Sequence, residues 1–428
     1  MSCDTAQERT EPPPPPAPRR LLSRLTLDTR PLRYPAYGRL WTSTLVTGVG
    51  SQLTAVAVPK QIYDITGSSA WIGIASFAGL APLVVFGLWG GAVADAVDRR
   101  KLLIATNSGI AATSLALWAQ SAAGLHSVAL LIVLLAVQQA LFGLNSPARA
   151  SAIPRLVPVS QLAAANALNS TVLQTGALFG PLAAGALIPV IGLPSLYLID
   201  TLGLAATLWA VLLLPALAPL DGAVRRADWS QVADGFRFAA GHRLLLMSFL
   251  VDILAMVFGM PRALFPQLAA TTFASDHLAL GLLYAAIPAG SLAAGLLSGT
   301  FTRARRPGRM TVAAVAVWGL AVAGFGLSGS LPVACAMLAL GGAADLVSMV
   351  FRGAILQSAA PDEMRGRMQG VFVVVVTGGP RLADLLHGFA GAAFGTRAAI
   401  AGGGFAVAVL VVLLSMAAPS YARYRIDT

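Results

Sequence analysis

The sequence between Trp71 and Ala122 reads WIGIASFAGLAPLVVFGLWGGAVADAVDRRKLLIATNSGIAATSLALWAQSA. It contains two long apolar segments, and a short basic loop with Arg99, Arg100 and Lys101 separates them. A helix that crosses the hydrocarbon core of a bilayer needs roughly 20 apolar residues, because each residue adds about 1.5 Å across a core about 30 Å thick. The stretch therefore predicts two transmembrane helices joined by a tight basic loop.

Similar apolar segments occur along the rest of the chain. Hydrophobic residues make up 57% of the 428 residues and charged residues only 11%, which is too few to cover the surface of a soluble domain. We therefore predict an all-α membrane protein with twelve transmembrane helices. The predicted spans are 38–63, 70–94, 102–122, 126–147, 163–188, 194–217, 244–268, 278–301, 310–328, 332–357, 367–393 and 398–417.

The basic residues predict the orientation of these spans, because cytoplasmic loops collect Lys and Arg. Only Lys60 and Arg397 fall on the side of the membrane away from the two tails, and Arg262 and Arg381 lie within spans. The other 25 of the 29 Lys and Arg residues fall in the two tails and in loops on the opposite side. We predict a multi-pass protein of the inner (plasma) membrane with both termini in the cytoplasm. This topology also accounts for the net charge of +11, so nucleic-acid binding is not predicted.

The longest predicted loop divides the chain into two blocks of six helices. We predict a disordered cytoplasmic tail at 1–37, a first bundle at 38–217, a central cytoplasmic loop at 218–243, a second bundle at 244–417 and a cytoplasmic tail at 418–428.

A weak internal repeat supports two duplicated blocks, as found in transporters whose halves are related by an axis along the membrane normal. The alternative is chance similarity between basic loops. The corresponding positions, at offsets of 203 or 204 residues, are Gly91 with Gly295, Arg99 with Arg303, Arg149 with Arg352, and Pro158 with Pro361.

The loop after the second span resembles the signature of the major facilitator superfamily, Gly-x-x-x-Asp-(Arg/Lys)-x-Gly-(Arg/Lys)-(Arg/Lys). Gly91, Asp95, Arg99 and Arg100 match it, whereas Asp98 stands where the pattern has its second glycine. In that family the loop would hold neighbouring helix ends together in one conformation and release them in another, which implies a gating role for Asp95. The alternative is that the basic residues only determine topology.

Other segments resemble the enterobactin-exporter-like branch of that superfamily, which contains drug and siderophore proton antiporters. They are Arg39–Trp41, Gly50–Leu53, Tyr63–Ser68, Asn145–Arg149 and Pro361–Arg367. The resemblance covers roughly 38–417. It implies the major facilitator fold and export of a siderophore, drug or similar small organic molecule, driven by the proton gradient.

The fifth span contains Gly176, Gly180, Pro181 and Gly185, which resemble the Gly-Pro motif found in the fifth helix of antiporter members. Such a stripe lets another backbone approach closely, and the proline removes a helical hydrogen bond. Helix packing alone is the alternative interpretation. On the fourth span Gln138 and Gln139 are adjacent, so we expect at most one to face a polar cavity.

Ionisable side chains inside a bilayer are costly, so each is a candidate functional residue. Burial favours the protonated form of a carboxyl group, and a nearby Arg favours the ionised form. A change in the distance between such groups could therefore bind and release a proton. The spacing suggests Asp252 with Arg262 and Asp384 with Arg381 as such pairs, and places Asp345 and Arg352 on one helix face. The alternative is a static ion pair.

Two further ionisable residues are given other roles. Asp200 lies near the start of its helix, so we favour an interfacial structural role. His387 is more often a packed histidine than a proton relay. The candidate proton or substrate residues are Asp252, Arg262, Asp345, Arg381 and Asp384.

The chain has no Walker loop and no His/Cys pattern with metal spacing, so we predict no cofactor, no metal site and no enzymatic activity. We expect a monomeric transporter that binds a small-molecule substrate and uses protons as its coupling ion. The alternatives are an importer or facilitator of a small solute and, more remotely, a non-transporting membrane sensor.

Overall fold

A computed structural model describes residues 28–217, 229–273, 276–301, 304, 306–359 and 361–425. Helices make up all the regular structure in these residues, which confirms the all-α membrane fold. The helices are α1 (Pro35–Thr66), α2 (Ser69–Ala78), α3 (Leu80–Ala96), α4 (Arg99–Ala122), α5 (Val128–Leu156), α6 (Leu162–Leu212), α7 (Trp229–Gly241), α8 (Arg243–Gly259), α9 (Phe265–Thr271), α10 (Asp276–Leu296), α11 (Pro307–Leu327), α12 (Leu331–Ala359), α13 (Asp362–Phe394), α14 (Thr396–Ala417) and α15 (Pro419–Arg423).

Nine segments of the described chain are long and apolar enough to cross a bilayer. One of them, Val159–Leu212, has 54 residues and is interrupted by non-helical backbone at Gly192, so it contains both the fifth and the sixth predicted spans. Helices α1 and α13 have 32 and 33 residues, which is long enough to span, but they carry more polar residues. Helix occupies every predicted span, and the total of twelve stays a prediction.

The fourth and seventh spans differ from the prediction. Helix α5 continues past Pro147 to Leu156, so the helix is longer than the predicted span 126–147. The seventh span is broken: α8 ends at Gly259, a single 3-10 turn covers Arg262–Leu264, and α9 follows. Pro261 explains the break, because proline has no amide hydrogen and disfavours helical backbone at the residue before it. The central segment predicted as a loop contains α7, and residues 218–228 lie outside the described residues. Of the predicted disordered tail 1–37, residues 1–27 also lie outside, whereas Arg30–Arg33 form a 3-10 turn and α1 begins at Pro35.

The N block (α1–α6) and the C block (α8–α14) are joined at one end. One buried cluster contains Ala184 and Ile188 from the N block with Leu268 and Leu280 from the C block. At the opposite end each block has its own buried cluster, represented by Leu103 and Val211 in one and by Leu245 and Met368 in the other. The two blocks therefore share a core at one side of the membrane and separate toward the other.

Glycines permit the close approach at the joined end. A Cβ on Gly185 of α6 would lie 2.9 Å from the Cα of Gly281 of α10, and a Cβ on Gly388 of α13 would lie 2.7 Å from the carbonyl oxygen of Ser69. Within the N block, Gly176 packs against Gly48 of α1. The stripe on the fifth span therefore packs closely against both α1 and the C block.

Short turns lie at this joined end. Four glycines in the turns at this end of the two blocks have φ between 65° and 85°, a backbone region that residues with side chains disfavour. They are Gly67, Gly124, Gly192 and Gly395.

Candidate functional site

A cavity of about 480 Å³ lies between the two blocks. Both blocks contribute polar and ionisable side chains to its wall, and apolar side chains fill the rest. The polar and ionisable residues are Thr47, Ser51, Gln52, Thr54, Ser76, Gln138, Gln139 and Asp200 from the N block, and Arg262, Tyr284, Arg381 and Asp384 from the C block.

Hydrogen bonds cross the cavity from one block to the other. The hydroxyl of Ser76 on α2 donates to Oδ2 of Asp384 on α13 over 2.5 Å. The guanidinium of Arg381, one turn earlier on α13, donates to Oγ of Ser76 over 3.3 Å and to Oε1 of Gln139 on α5 over 3.2 Å. Arg381 and Asp384 therefore face the cavity together, as their spacing predicts, and they also bond to the opposite block.

The break in the seventh span places Arg262 in the cavity wall. The hydroxyl of Tyr284 donates to the carbonyl oxygen of Arg262 over 3.3 Å, which fixes the turn. Asp384 shares the cavity wall with Arg262, whereas Asp345 is partly buried and is not among the lining residues.

The ion pair of Asp252 differs from the predicted one. Asp252 on α8 pairs with Arg352 on α12, and their side chains are only 2% and 4% exposed. The predicted partner Arg262 lies beyond the helix break, so a spacing of ten residues no longer places it on the same face. Asp345 and Arg352 lie on the same uninterrupted helix α12, and the ion pair of Arg352 is with Asp252. Neither member of this pair is among the residues that line the cavity.

The N block holds a corresponding arrangement. Arg149 of α5 donates to the hydroxyl of Thr44 on α1 over 2.5 Å. Arg149 was predicted to correspond to Arg352 through the internal repeat. In each block an arginine of the fourth span, on α5 or α12, therefore contacts the first span, α1 or α8. This correspondence supports duplicated blocks.

The position of Asp200 near a helix start predicts an interfacial location, and this prediction is wrong. Asp200 is 2% exposed and lines the cavity from the N-block side. Its Oδ2 accepts hydrogen bonds from Thr54 of α1 and Ser114 of α4, both over 2.8 Å. Gln138 donates to Oγ of Ser114 over 3.2 Å. Gln138 and Gln139 both line the cavity, so the expectation that at most one of them faces it is wrong. The two contacts of Asp200 come from α1 and α4, which are distant from it in sequence, so the pattern along α6 alone could not reveal them.

His387 packs between helices. Its Nε2 lies 3.1 Å from the carbonyl oxygen of Phe258 at the end of α8, and the ring is 2% exposed. It does not line the cavity. The interpretation as a packed histidine is consistent with these contacts.

The loop between α3 and α4 is held within the N block. Gly91 and Asp95 lie in the last turns of α3, and the side chain of Asp95 is outside the description. Arg99 donates through Nε to Ser151 over 3.0 Å, and Arg100 donates to the carbonyl oxygen of Leu212 over 2.5 Å. The gating role of Asp95 stays a prediction.

Asp98, which departs from the family pattern, has a clear structural role. Its Oδ1 accepts hydrogen bonds from the amide of Arg100 over 2.8 Å and from the amide of Leu217 over 3.2 Å. It therefore caps the N-terminus of α4 and also holds the chain that follows α6. An aspartate just before an apolar helix is a capping signal that can be recognised in the sequence.

Two bundles of spanning helices with a polar cavity between them define a secondary transporter of the major facilitator type, not an enzyme. The chain belongs to the MFS_3 family, described as transmembrane secretion effectors, whose model matches residues 27–423. It is therefore a multi-pass inner-membrane protein that acts on a small-molecule substrate.

Relatives and solved structures agree with this assignment. The enterobactin exporter EntS of Shigella boydii serotype 18 is 29% identical over 401 residues, which are 92% of this chain and 94% of that protein. EntS of Escherichia coli O139:H28 has the same identity and coverage. The nucleoside transporter NupG has a TM-score of 0.73 at 13% identity, over 91% of this chain and 100% of that chain. A bacterial homolog of the human lysosomal transporter Spinster, in an inward-facing and unoccupied conformation, has a TM-score of 0.66 at 16% identity, over 92% of this chain and 97% of that chain. The two solved structures share the fold.

Proposed function

We propose that the chain is a proton-coupled exporter of a small organic molecule, acting as a monomer with both termini in the cytoplasm. The observation that carries the proposal is the cavity between the blocks, with Arg262, Arg381 and Asp384 in its wall. A binding site between two blocks, with ionisable groups inside the bilayer, is what alternating access requires. The similarity to enterobactin exporters supports export as the direction.

The chemistry of the wall defines what the substrate would contact. Ile72, Leu83 and Phe142 offer apolar surface, while Arg262 and Arg381 offer hydrogen-bond donors to an anionic or oxygen-rich group. Small-molecule sites combine an apolar lining with a few polar groups and occupy about 300–1,000 Å³. The cavity volume of about 480 Å³ lies within that range.

The hydrogen bonds across the cavity offer a means of coupling. If the blocks rock against each other, the bonds from Ser76 and Gln139 to α13 must break and re-form. A proton on Asp384 would remove its negative charge and weaken its interaction with Arg381, which would leave this guanidinium free to bind substrate. Each such bond contributes about 1–3 kcal/mol, so one proton can shift the balance between two conformations. Asp345 stays a further candidate through its interaction with Arg262.

The proposed orientation determines to which side of the membrane the cavity opens. With both termini in the cytoplasm, the joined end of the two blocks faces outward, and the ends with separate buried clusters face the cytoplasm. The conformation is then inward-facing, which is the state that accepts a substrate for export. The blocks that move are the bundles 38–217 and 244–417, and the loop after α3 would control their approach through Asp95.

Inverted membrane vesicles test the proposal. Enterobactin and the dye ethidium are added to vesicles from cells that overproduce the chain. Their uptake is measured with and without a pH gradient in which the vesicle lumen is acidic. We expect gradient-dependent uptake of at least one compound, and loss of that uptake in Arg381→Gln and Asp384→Asn. The exposed Arg237→Gln variant should behave like the parent. Uptake that is unchanged when the pH gradient is collapsed would contradict proton coupling, and transport only in the opposite direction would contradict export.

A further inference from the structure

Asp200 differs from the other buried aspartates in its surroundings. Asp252 is paired with Arg352, and Asp384 faces Arg381 and Arg262. The carboxyl group of Asp200 instead accepts two hydrogen bonds from neutral hydroxyls, those of Thr54 and Ser114.

The charged groups on the helices around Asp200 are engaged elsewhere. On α1, Lys60 pairs with Asp64 over 2.5 Å, about two turns beyond Thr54. On α5, Arg149 bonds to Thr44, and on α4 the basic residues lie at the far end, at Arg99 and Arg100. One turn earlier on α6, Tyr197 donates to Gln61 over 2.9 Å. Across the cavity stand Arg262, Arg381 and Asp384. Among the described residues, none of these charged groups forms a hydrogen bond or an ion pair with Asp200, whose side-chain partners are the two hydroxyls.

The hydrogen bonds of Asp200 fit a neutral carboxylic acid. An ionised carboxylate buried without a counter-charge is unstable inside a membrane, and it gains a proton instead. Both hydroxyls donate to Oδ2, which matches the carbonyl oxygen of a protonated acid. Oδ1 is buried and has no hydrogen-bond partner among the described residues, so no donor stabilises a negative charge on this oxygen, and protonation removes that charge.

We propose that Asp200 binds the transported proton, on the N-block wall of the cavity, while the cationic C-block wall binds the substrate. The inference rests on the proposed proton coupling. It places the transported proton on Asp200 in the sixth span instead of on Asp384, which then serves to balance the charge of Arg381. In the empty inward-facing state the acid is neutral. When substrate and water enter the cavity, the O–H bond of the acid breaks, the proton passes to water and the carboxylate remains. When the cavity opens outward, Asp200 takes up a proton from the outer side.

Carbodiimide labelling tests the protonation state without any substrate. N,N′-dicyclohexylcarbodiimide reacts with protonated carboxyl groups in apolar surroundings, and mass spectrometry of the purified full chain locates the adduct. We expect labelling of Asp200 at pH 7, with a decrease of about tenfold per pH unit above the midpoint of its titration. Asp252, which forms an ion pair with Arg352, is the comparison site and should be labelled less than Asp200. Labelling of the unfolded chain at pH 5 confirms that the Asp200 peptide can be detected. Absence of label on Asp200 between pH 5 and 9 in the folded protein would overturn the proposal.

Transport by substituted chains tests whether that proton moves. In the vesicle assay with enterobactin or ethidium as the test compound, Asp200→Asn should lose the stimulation by a pH gradient, and Asp200→Glu should keep it with an altered pH profile. The matched control Asp234→Asn changes an exposed aspartate and should behave like the parent. If transport by the parent depends on the pH gradient and transport by Asp200→Asn still does, the assignment of the proton to Asp200 is overturned. Transport that depends on a sodium gradient instead of the pH gradient would also overturn it. A parent whose transport ignores the pH gradient contradicts the proposed function itself, whatever Asp200 does in the labelling.

Discussion

At the scale of single residues, the ion pair between Asp252 and Arg352 joins two helices of the C block that are 100 positions apart in sequence. Both side chains are almost completely buried, so each charge depends on the other for compensation. Removing both charges from a buried pair is often nearly neutral, whereas removing one leaves an uncompensated charge and costs about 3–5 kcal/mol. This difference separates a static structural pair from one that must titrate during transport.

We predict that Asp252→Asn strongly lowers the apparent melting temperature of the purified protein, because it leaves Arg352 buried without a counter-charge. The double variant Asp252→Leu with Arg352→Met should recover most of the loss and should transport like the parent. Thermal unfolding followed by size-exclusion chromatography gives the first result, and the vesicle assay gives the second.

The exposed pair Asp234 and Arg237 provides the control, because exposed ion pairs contribute only about 0–1 kcal/mol. Asp234→Asn should leave the melting temperature nearly unchanged. A double variant that is stable but inactive would show that the Asp252–Arg352 pair takes part in transport.

Sequence spacing identified the ionisable residues but not all of their partners. Arg381 and Asp384 are three residues apart on one uninterrupted helix, and both face the cavity as predicted. Asp252 and Arg262 are ten apart, and the break at Pro261 changes the direction of the chain between them. The contacts of Asp200 come from α1 and α4, and nothing in the sequence near Asp200 indicates which helices will surround it.

At the scale of helices, length and hydropathy were sufficient to place the spans. They could not give the break inside the seventh span, because it depends on local backbone chemistry at Pro261. The interruption at Gly192 falls between the predicted fifth and sixth spans. Hydropathy also ends the fourth span at 147, whereas helix α5 continues to Leu156. A membrane helix tolerates proline where neighbouring helices satisfy the freed backbone groups, and α5 continues for nine more residues.

The cap of α4 leads to a second prediction. Replacing Asp98 with Ala removes the acceptor for two amides, those of Arg100 and Leu217, so stability should fall by about 0.5–2 kcal/mol. Asp98→Gly should cost less, because glycine at this position of a helix loses only a few tenths of a kcal/mol relative to a capping side chain. Thermal unfolding of the purified variants measures both.

Asp98→Asn, which keeps an acceptor oxygen, serves as the control and should stay close to the parent. If the alanine variant is as stable as the asparagine variant, the hydrogen bonds from Asp98 contribute nothing, and the departure from the family pattern has no structural explanation.

At the scale of the whole molecule, the shared core at one end explains how two blocks can be joined firmly and still move. The contact depends on backbones that touch at glycines, so it is tight only in the conformation in which that end is closed. Introducing a side chain there would add strain to the closed state alone. Overpacking costs about 1–3 kcal/mol, which changes the ratio of two conformations about 5- to 150-fold.

We therefore predict that Gly281→Leu shifts the protein toward the conformation with an open outer end, because the new side chain would collide with the backbone of Pro181 and Gly185. Ser69 is fully buried at this end, so a Ser69→Cys reporter should react slowly with an impermeant maleimide added outside intact cells. In the Gly281→Leu background, with Cys3 and Cys335 replaced by Ser, labelling should rise at least fivefold while transport falls.

Gly402→Leu is the matched control, since a Cβ at Gly402 meets nothing within 4 Å and the labelling should not change. Equal labelling of the parent and Gly281→Leu would mean that the glycine contact does not hold the outer end closed, and labelling only in inverted vesicles would place that end in the cytoplasm.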